Sequence, residues 1–204
     1  FLIKLGDTTI ITDPVFSKNM GPWIFGPKRY VDPAVDLNEI PEVNLFLLTH
    51  NHYDHLDKNT ILALQKEHTP QFIVPLGVSH FFKRLGIQNV IEIDWDEEIE
   101  FKSLKIKGTP AVHFSSRGAF DQNKTLWCGY LIKGSKNIYF AGDTALNSDM
   151  KILGEFEKIN VAILPIGDNF TMGIEDASLA AQFINCNKVI GMHYNTFPYI
   201  EIDK

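Results

Sequence analysis

The run His50-Asn51-His52-Tyr53-Asp54-His55 gathers three of the chain's seven histidines and a carboxylate into one short segment. Neutral imidazole nitrogens and carboxylate oxygens are the ligand types of zinc, manganese and iron. Alternation lets His50 and His52 point to one side of the chain, while Asp54 and His55 can face a neighbouring position. A lone His-x-His would be weak evidence, and a polar loop of solvated histidines is the plain alternative. Four ligand-type residues at this spacing are hard to explain by packing. The chemistry they predict is that of a metal site.

The elements around the run fit that reading. Residues 43–48 are almost entirely apolar, as in a strand buried on both faces, and they lead directly into the histidines. Upstream, residues 1–5 and 9–12 read as a hairpin about Gly6-Asp7, closed by Asp13-Pro14. Residues 15–39 have no clean period. They carry Gly21-Pro22, Gly26-Pro27 and Asp32-Pro33 together with Phe16, Trp23, Phe25 and Tyr30, which predicts a long, ordered, functional loop. Downstream come a helix over 57–67 with Asp57 as N-cap, a strand over 71–74, a helix over 78–85 and a strand over 89–93. Strands are expected over 98–101, 104–107 and 111–114. A hairpin of 126–132 and 137–141 about Gly134-Ser135 follows, then a helix over 146–157. Strand 161–165, helix 175–184 and strand 188–191 complete the pattern. No short repeat or low-complexity tract interrupts it. Strands with helices between them in both halves predict an α/β fold of two packed sheets with helices outside.

A length of 204 residues suits one domain spanning 1–204. The net charge of -6, from 19 basic and 25 acidic side chains, argues against nucleic acid as a partner. It leaves room for a small anionic ester held locally. Cys128 and Cys186 have no C-x-x-C spacing, so a reducing, cytoplasmic setting is the expectation. No apolar run approaches the roughly 18 residues of a membrane span. Phe1 already lies inside a predicted strand, so some residues are expected to precede it, and a removed targeting segment stays open.

Further motifs appear in order along the chain: Pro110-Ala111-Val112-His113, Phe140-Ala141-Gly142-Asp143-Thr144 and Gly191-Met192-His193-Tyr194. With His-x-His-x-Asp-His after a buried strand, the chain resembles the metallo-β-lactamase superfamily over essentially its whole length. The resemblance implies a four-layer αββα sandwich with metals at one edge of its sheets. It implies that His50, His52 and His113 hold one metal, that Asp54, His55 and His193 hold a second, and that Asp143 bridges them. Zinc ranks first, with manganese or iron as alternatives. Asp13, in Thr12-Asp13-Pro14, takes the place of a carboxylate that orients a metal-binding imidazole.

Two branches are discernible. Thr12-Asp13-Pro14-Val15-Phe16-Ser17, Gly26-Pro27-Lys28-Arg29-Tyr30 and His113-Phe114-Ser115-Ser116-Arg117-Gly118 look like N-acyl-phosphatidylethanolamine-hydrolysing phospholipase D and its bacterial relatives. The segments 142–146, 164–173 and 193–198 look like uncharacterised bacterial metal-dependent hydrolases, themselves similar to ascorbate-6-phosphate lactonases. No cysteine lies near the motifs, unlike the cysteine-containing zinc β-lactamases. His52 replaces the glutamate expected in flavodiiron oxidoreductases.

The expected enzyme is a hydrolase in which a water shared by two metals loses a proton near neutral pH and attacks an ester. Asp54 and Asp143 would be its catalytic carboxylates. Arg117, with Lys28 and Arg29, would neutralise a substrate phosphate, although ordinary solvated charge explains these side chains equally well. A phospholipase D-like phosphodiesterase leads. A lactonase or other carboxylic-ester hydrolase on the same metals is the alternative, and a non-catalytic metal scaffold comes third. The partner is a small ester, and a homo-oligomer is compatible with the sequence.

Overall fold

The hairpin forms where Gly6-Asp7 permits it: β1 (Leu2–Leu5) and β2 (Thr8–Thr12) pair antiparallel. Gly6 takes φ +62°, a left-handed turn conformation open to glycine at little cost. The computed structural model describes residues 1–21, 26–200 and 202, so Trp23 and Phe25 of the aromatic loop lie outside the described residues. The chain divides into two compact units, Phe1–Asp94 with Phe114–Trp127, and Trp95–His113 with Cys128–Lys204.

The first unit holds a sheet in the order β1-β2-β3-β4-β5, where β3 is Leu45–Leu47, β4 Gln71–Pro75 and β5 Val90–Ile93. From β2 to β5 every pairing is parallel. Parallel strands covered on both faces read as continuous apolar runs, and all three residues of β3 are buried. Helices α1 (Lys58–His68) and α2 (Ser79–Arg84) return the chain between these strands. Asp57 caps α1 as expected, its side chain accepting from the Asn59 N–H. Ile61, Leu64 and Phe82 from the helices pack with Phe46, Phe72 and Val74 from the sheet into one apolar core. The loop over 15–39 contains only a short 3-10 turn at Leu37–Glu39 and a bridge between Asn19 and Lys28 among its described residues.

The second unit holds the order β11-β10-β9-β8-β7-β6. Its strands are β6 (Glu98–Phe101), β7 (Leu104–Thr109), β8 (Gly129–Lys133), β9 (Ile138–Phe140), β10 (Val161–Pro165) and β11 (Val189–Met192). Strands β6 to β9 form an antiparallel meander, and β9, β10 and β11 run parallel. Helices α3 (Asp149–Phe156) and α4 (Ile174–Ile184) connect the parallel strands.

Two sequence expectations are corrected. Residues 111–114 do not form a strand: β7 ends at Thr109, Pro110 has no N–H to donate, and the Val112 N–H goes instead to Thr144 Oγ1 at 3.0 Å. Helix α3 starts at Asp149 rather than 146, because Asn147 turns its side chain onto the local backbone and Thr144. Among the described residues no helix is long and apolar enough to cross a membrane.

Candidate functional site

Parallel pairing decides where the polar side chains emerge. In open α/β sheets the carboxyl ends of parallel strands share one edge, and ligands bind there. In the first unit β2 and β3 are parallel, so Asp13, just after β2, and His50, shortly after β3, leave the sheet at the same edge. Asp13 adopts φ 41°, costly for a residue with a side chain, and its N–H bonds the Leu47 carbonyl at 3.1 Å. That conformation keeps its carboxylate beside the exit of β3.

The carboxylate then organises the histidines. Asp13 Oδ1 accepts the Thr49 N–H at 2.8 Å, and Oδ2 accepts the Thr49 hydroxyl at 2.5 Å. Oδ2 also lies 2.8 Å from His55 Nδ1. A carboxylate can only accept here, so the proton sits on His55 Nδ1 and the lone pair on Nε2. Thr49 has given its one hydroxyl proton to Asp13, so the contact of 2.9 Å between Thr49 Oγ1 and His50 Nδ1 places a proton on that nitrogen. His50 Nε2 therefore carries a lone pair, and it lies 2.8 Å from His52 Nδ1. His55 Nε2 is 3.6 Å from Asp54 Oδ2. The rings are in contact, His50 and His55 with centroids 4.1 Å apart, and Phe114 abuts His52 at 4.7 Å. Imidazole nitrogens gathered this closely, with His50 and His55 each held at Nδ1 by a hydrogen-bond partner, suit a cation and are poorly suited to packing.

In the second unit β7 runs in the same sense as β9, because each is antiparallel to β8, and β9 is parallel to β10 and β11. The ends of β7, β9 and β11 thus lie at one edge, and His113, Asp143 and His193 follow them. Asp143 Oδ2 is 3.6 Å from His113 Nε2 and 3.2 Å from His193 Nε2, with all three side chains almost fully buried. Gly142, at φ 61°, makes the turn that delivers Asp143. His193 itself has φ 56°, a strained conformation at the end of β11. The loop bearing His113 is tied to the loop bearing Asp143 by the Val112 N–H to Thr144 Oγ1 and by the Ala145 N–H to the Val112 carbonyl at 2.9 Å.

The basic residues lie in the first unit. Arg117 is largely withdrawn from solvent. Its Nη1 donates to the carbonyls of Asn51 at 2.8 Å, His52 at 3.4 Å and Leu56 at 2.8 Å, and its guanidinium stacks 3.9 Å from the Tyr53 ring centroid. Burial lowers its pKa, and the nearby Tyr53, Asp57, Asp121 and Asp54 counteract the shift. Arg29 donates to the carbonyls of Val31 and Val15 on its own loop. Lys28 is exposed, as is His80 on α2; His68 is the last residue of α1. Thr49 and Thr144 were not singled out from sequence, although a hydroxyl directly before the first histidine is the kind of signal that could have revealed Thr49.

His50, His52, Asp54 and His55 in one unit, and His113, Asp143 and His193 in the other, are therefore residues that could bind metal. A family model described as a beta-lactamase superfamily domain matches residues 8–194, and the chain belongs to that superfamily. A UPF0173 metal-dependent hydrolase of Bacillus cereus is 43% identical over 209 residues, covering 98% of this chain and 84% of its own length. A protein of the same description from Christiangramia forsetii is 38% identical over 205 residues, covering 98% and 83%. Among solved structures, a metallo hydrolase from the archaeon Ignicoccus hospitalis superposes with a TM-score of 0.78 at 28% identity, covering 99% of this chain and 82% of its own. Among the described residues, the mixed α/β architecture of two sheets and four helices is the metallo-β-lactamase fold.

Proposed function

We propose that this chain, like the relatives it matches, is a metal-dependent hydrolase, and that its substrate is a phosphodiester. In this reading His50, His52 and His113 hold one divalent ion, Asp54, His55 and His193 hold a second, and Asp143 bridges the two. The observation that carries it is the carboxylate of Asp13, which leaves His55 Nε2, and through Thr49 His50 Nε2, as lone-pair donors. Histidines whose Nδ1–H is fixed from behind present Nε2 to a metal.

Bound divalent ions supply Lewis acidity and a water of lowered pKa. The chain supplies the rest. Asp13 and Thr49 keep the protons on the far side of His55 and His50, at Nδ1. Asp54, beside His55 Nε2, is placed to accept a hydrogen bond from the attacking water and to orient it. Zinc is the expected ion, because the donors are mostly imidazole with few carboxylates; manganese and iron accept the same set. Lys28, exposed on the aromatic loop, is assigned to meet an anionic substrate.

A lactonase or other carboxylic-ester hydrolase would use the same donors. Paired assays of the zinc-loaded protein on bis(p-nitrophenyl) phosphate and on a simple lactone separate the two. Turnover of the phosphodiester is expected, and lactone turnover alone would reverse the order.

A further inference from the structure

We propose that Arg117 is a positioning residue for the metal-binding loop, a clasp that sets where His52, Asp54 and His55 stand. The inference rests on the reading that this loop holds metal. It gives Arg117 a task other than contacting substrate.

Residues 50–57 form neither helix nor strand. Within the turn, the N–H groups of His55 and Leu56 bond back to the His52 carbonyl, at 3.2 and 2.8 Å. Ligand geometry tolerates errors of only about 0.5 Å. Arg117 adds ties from outside the turn. Its Nη1 reaches the carbonyls of Asn51, His52 and Leu56, which bracket three of the four ligand-type residues. Its plane lies on the ring of Tyr53, between His52 and Asp54, and Phe81 of α2 lies 5.1 Å from the guanidinium carbon. Main chain and side chain of the loop are therefore gripped by one planar cation.

Arg117 is itself anchored. Asp121 Oδ1 accepts its N–H at 3.0 Å, the Gly118 N–H at 2.7 Å and the Ser116 hydroxyl at 3.1 Å. This closes a turn that aims the side chain at a loop more than 60 residues away in sequence. Lysine is no equivalent, because it lacks the planar face that stacks on Tyr53 and the fork of donors.

The test compares wild type, Arg117→Lys and Arg117→Ala, each shown to fold by circular dichroism and thermal melting. Zinc affinity is measured by competition with a chromogenic chelator, and ligand geometry by the visible spectrum of the cobalt(II)-loaded protein. The expected result is about a 10- to 100-fold loss of affinity in Arg117→Ala, as for other groups that orient metal ligands. Arg117→Lys should fall in between, and the cobalt bands should shift in both variants. Millimolar guanidinium should restore part of the loss in Arg117→Ala only. Wild-type affinity and an unchanged cobalt spectrum in Arg117→Ala would overturn the proposal, as would a lower melting temperature with those two readouts unmoved. Wild-type protein that bound no zinc would instead overturn the metal reading beneath it.

Discussion

Asp13 controls more of the chemistry than any single histidine, because one carboxylate fixes two tautomers. Its Oδ2 accepts from both Thr49 and His55, and Thr49 passes the constraint to His50. Asp13→Asn keeps the size but puts an NH2 where an acceptor is needed: at Oδ1 it faces the Thr49 N–H, and at Oδ2 it removes the acceptor of both His55 and the Thr49 hydroxyl. Zinc affinity should fall about 10- to 100-fold, read by chelator competition, with secondary structure intact. An unchanged affinity would mean that the orientation of these rings is set elsewhere. His50 to His55 stand out in the sequence by density. Asp13 stands out through the resemblance carried by Thr12-Asp13-Pro14, because a place before proline alone reads as a turn-former. Thr49 does not stand out, because a single hydroxyl has no spacing pattern. The employment of Arg117 was equally hidden, since its partners are carbonyls that any residue could carry.

Elements deliver these residues by ending where they do. The strands β2, β3, β7, β9 and β11 each stop a few residues before a site residue, and within each sheet these strands run in one sense, which brings their ends to a common edge. Apolar runs made most of these strands readable. The segment 111–114 was misread as strand because its apolar residues fit the pattern, while the tie from Val112 to Thr144 is a tertiary contact that no local pattern encodes. Close approach at β11 gives a test of delivery. A Cβ on Gly167 would meet the His193 carbonyl oxygen at 2.0 Å, so Gly167→Ala must displace the backbone of a site residue. Strain of this kind costs about 1–3 kcal/mol, so calorimetry should show a fall of several degrees in melting temperature. Zinc affinity should fall with it. Gly6→Ala is the control. It has φ +62° and open space around the new methyl, so it should cost about 1–2 kcal/mol and leave zinc binding untouched.

On the scale of the whole molecule, the first unit carries four ligand-type residues, His50, His52, Asp54 and His55, and the second carries three, His113, Asp143 and His193. Sequence order alone suggested their pooling, since the motifs follow one another as in the metallo-β-lactamase superfamily to which the chain belongs. The substrate was less legible. Recognition depends on loops such as 15–39, whose sequence carries no period from which a shape could be deduced. We propose that residues of both units are needed to hold metal, with Asp143 shared between two ions. The direct measurement is the zinc content per chain, by plasma mass spectrometry after reconstitution and desalting, of wild type beside Asp143→Ala. Two zinc ions per wild-type chain are predicted, falling to one or fewer in the variant, with hydrolysis lost. An Asp143→Ala protein that kept two ions and the wild-type rate would contradict the account.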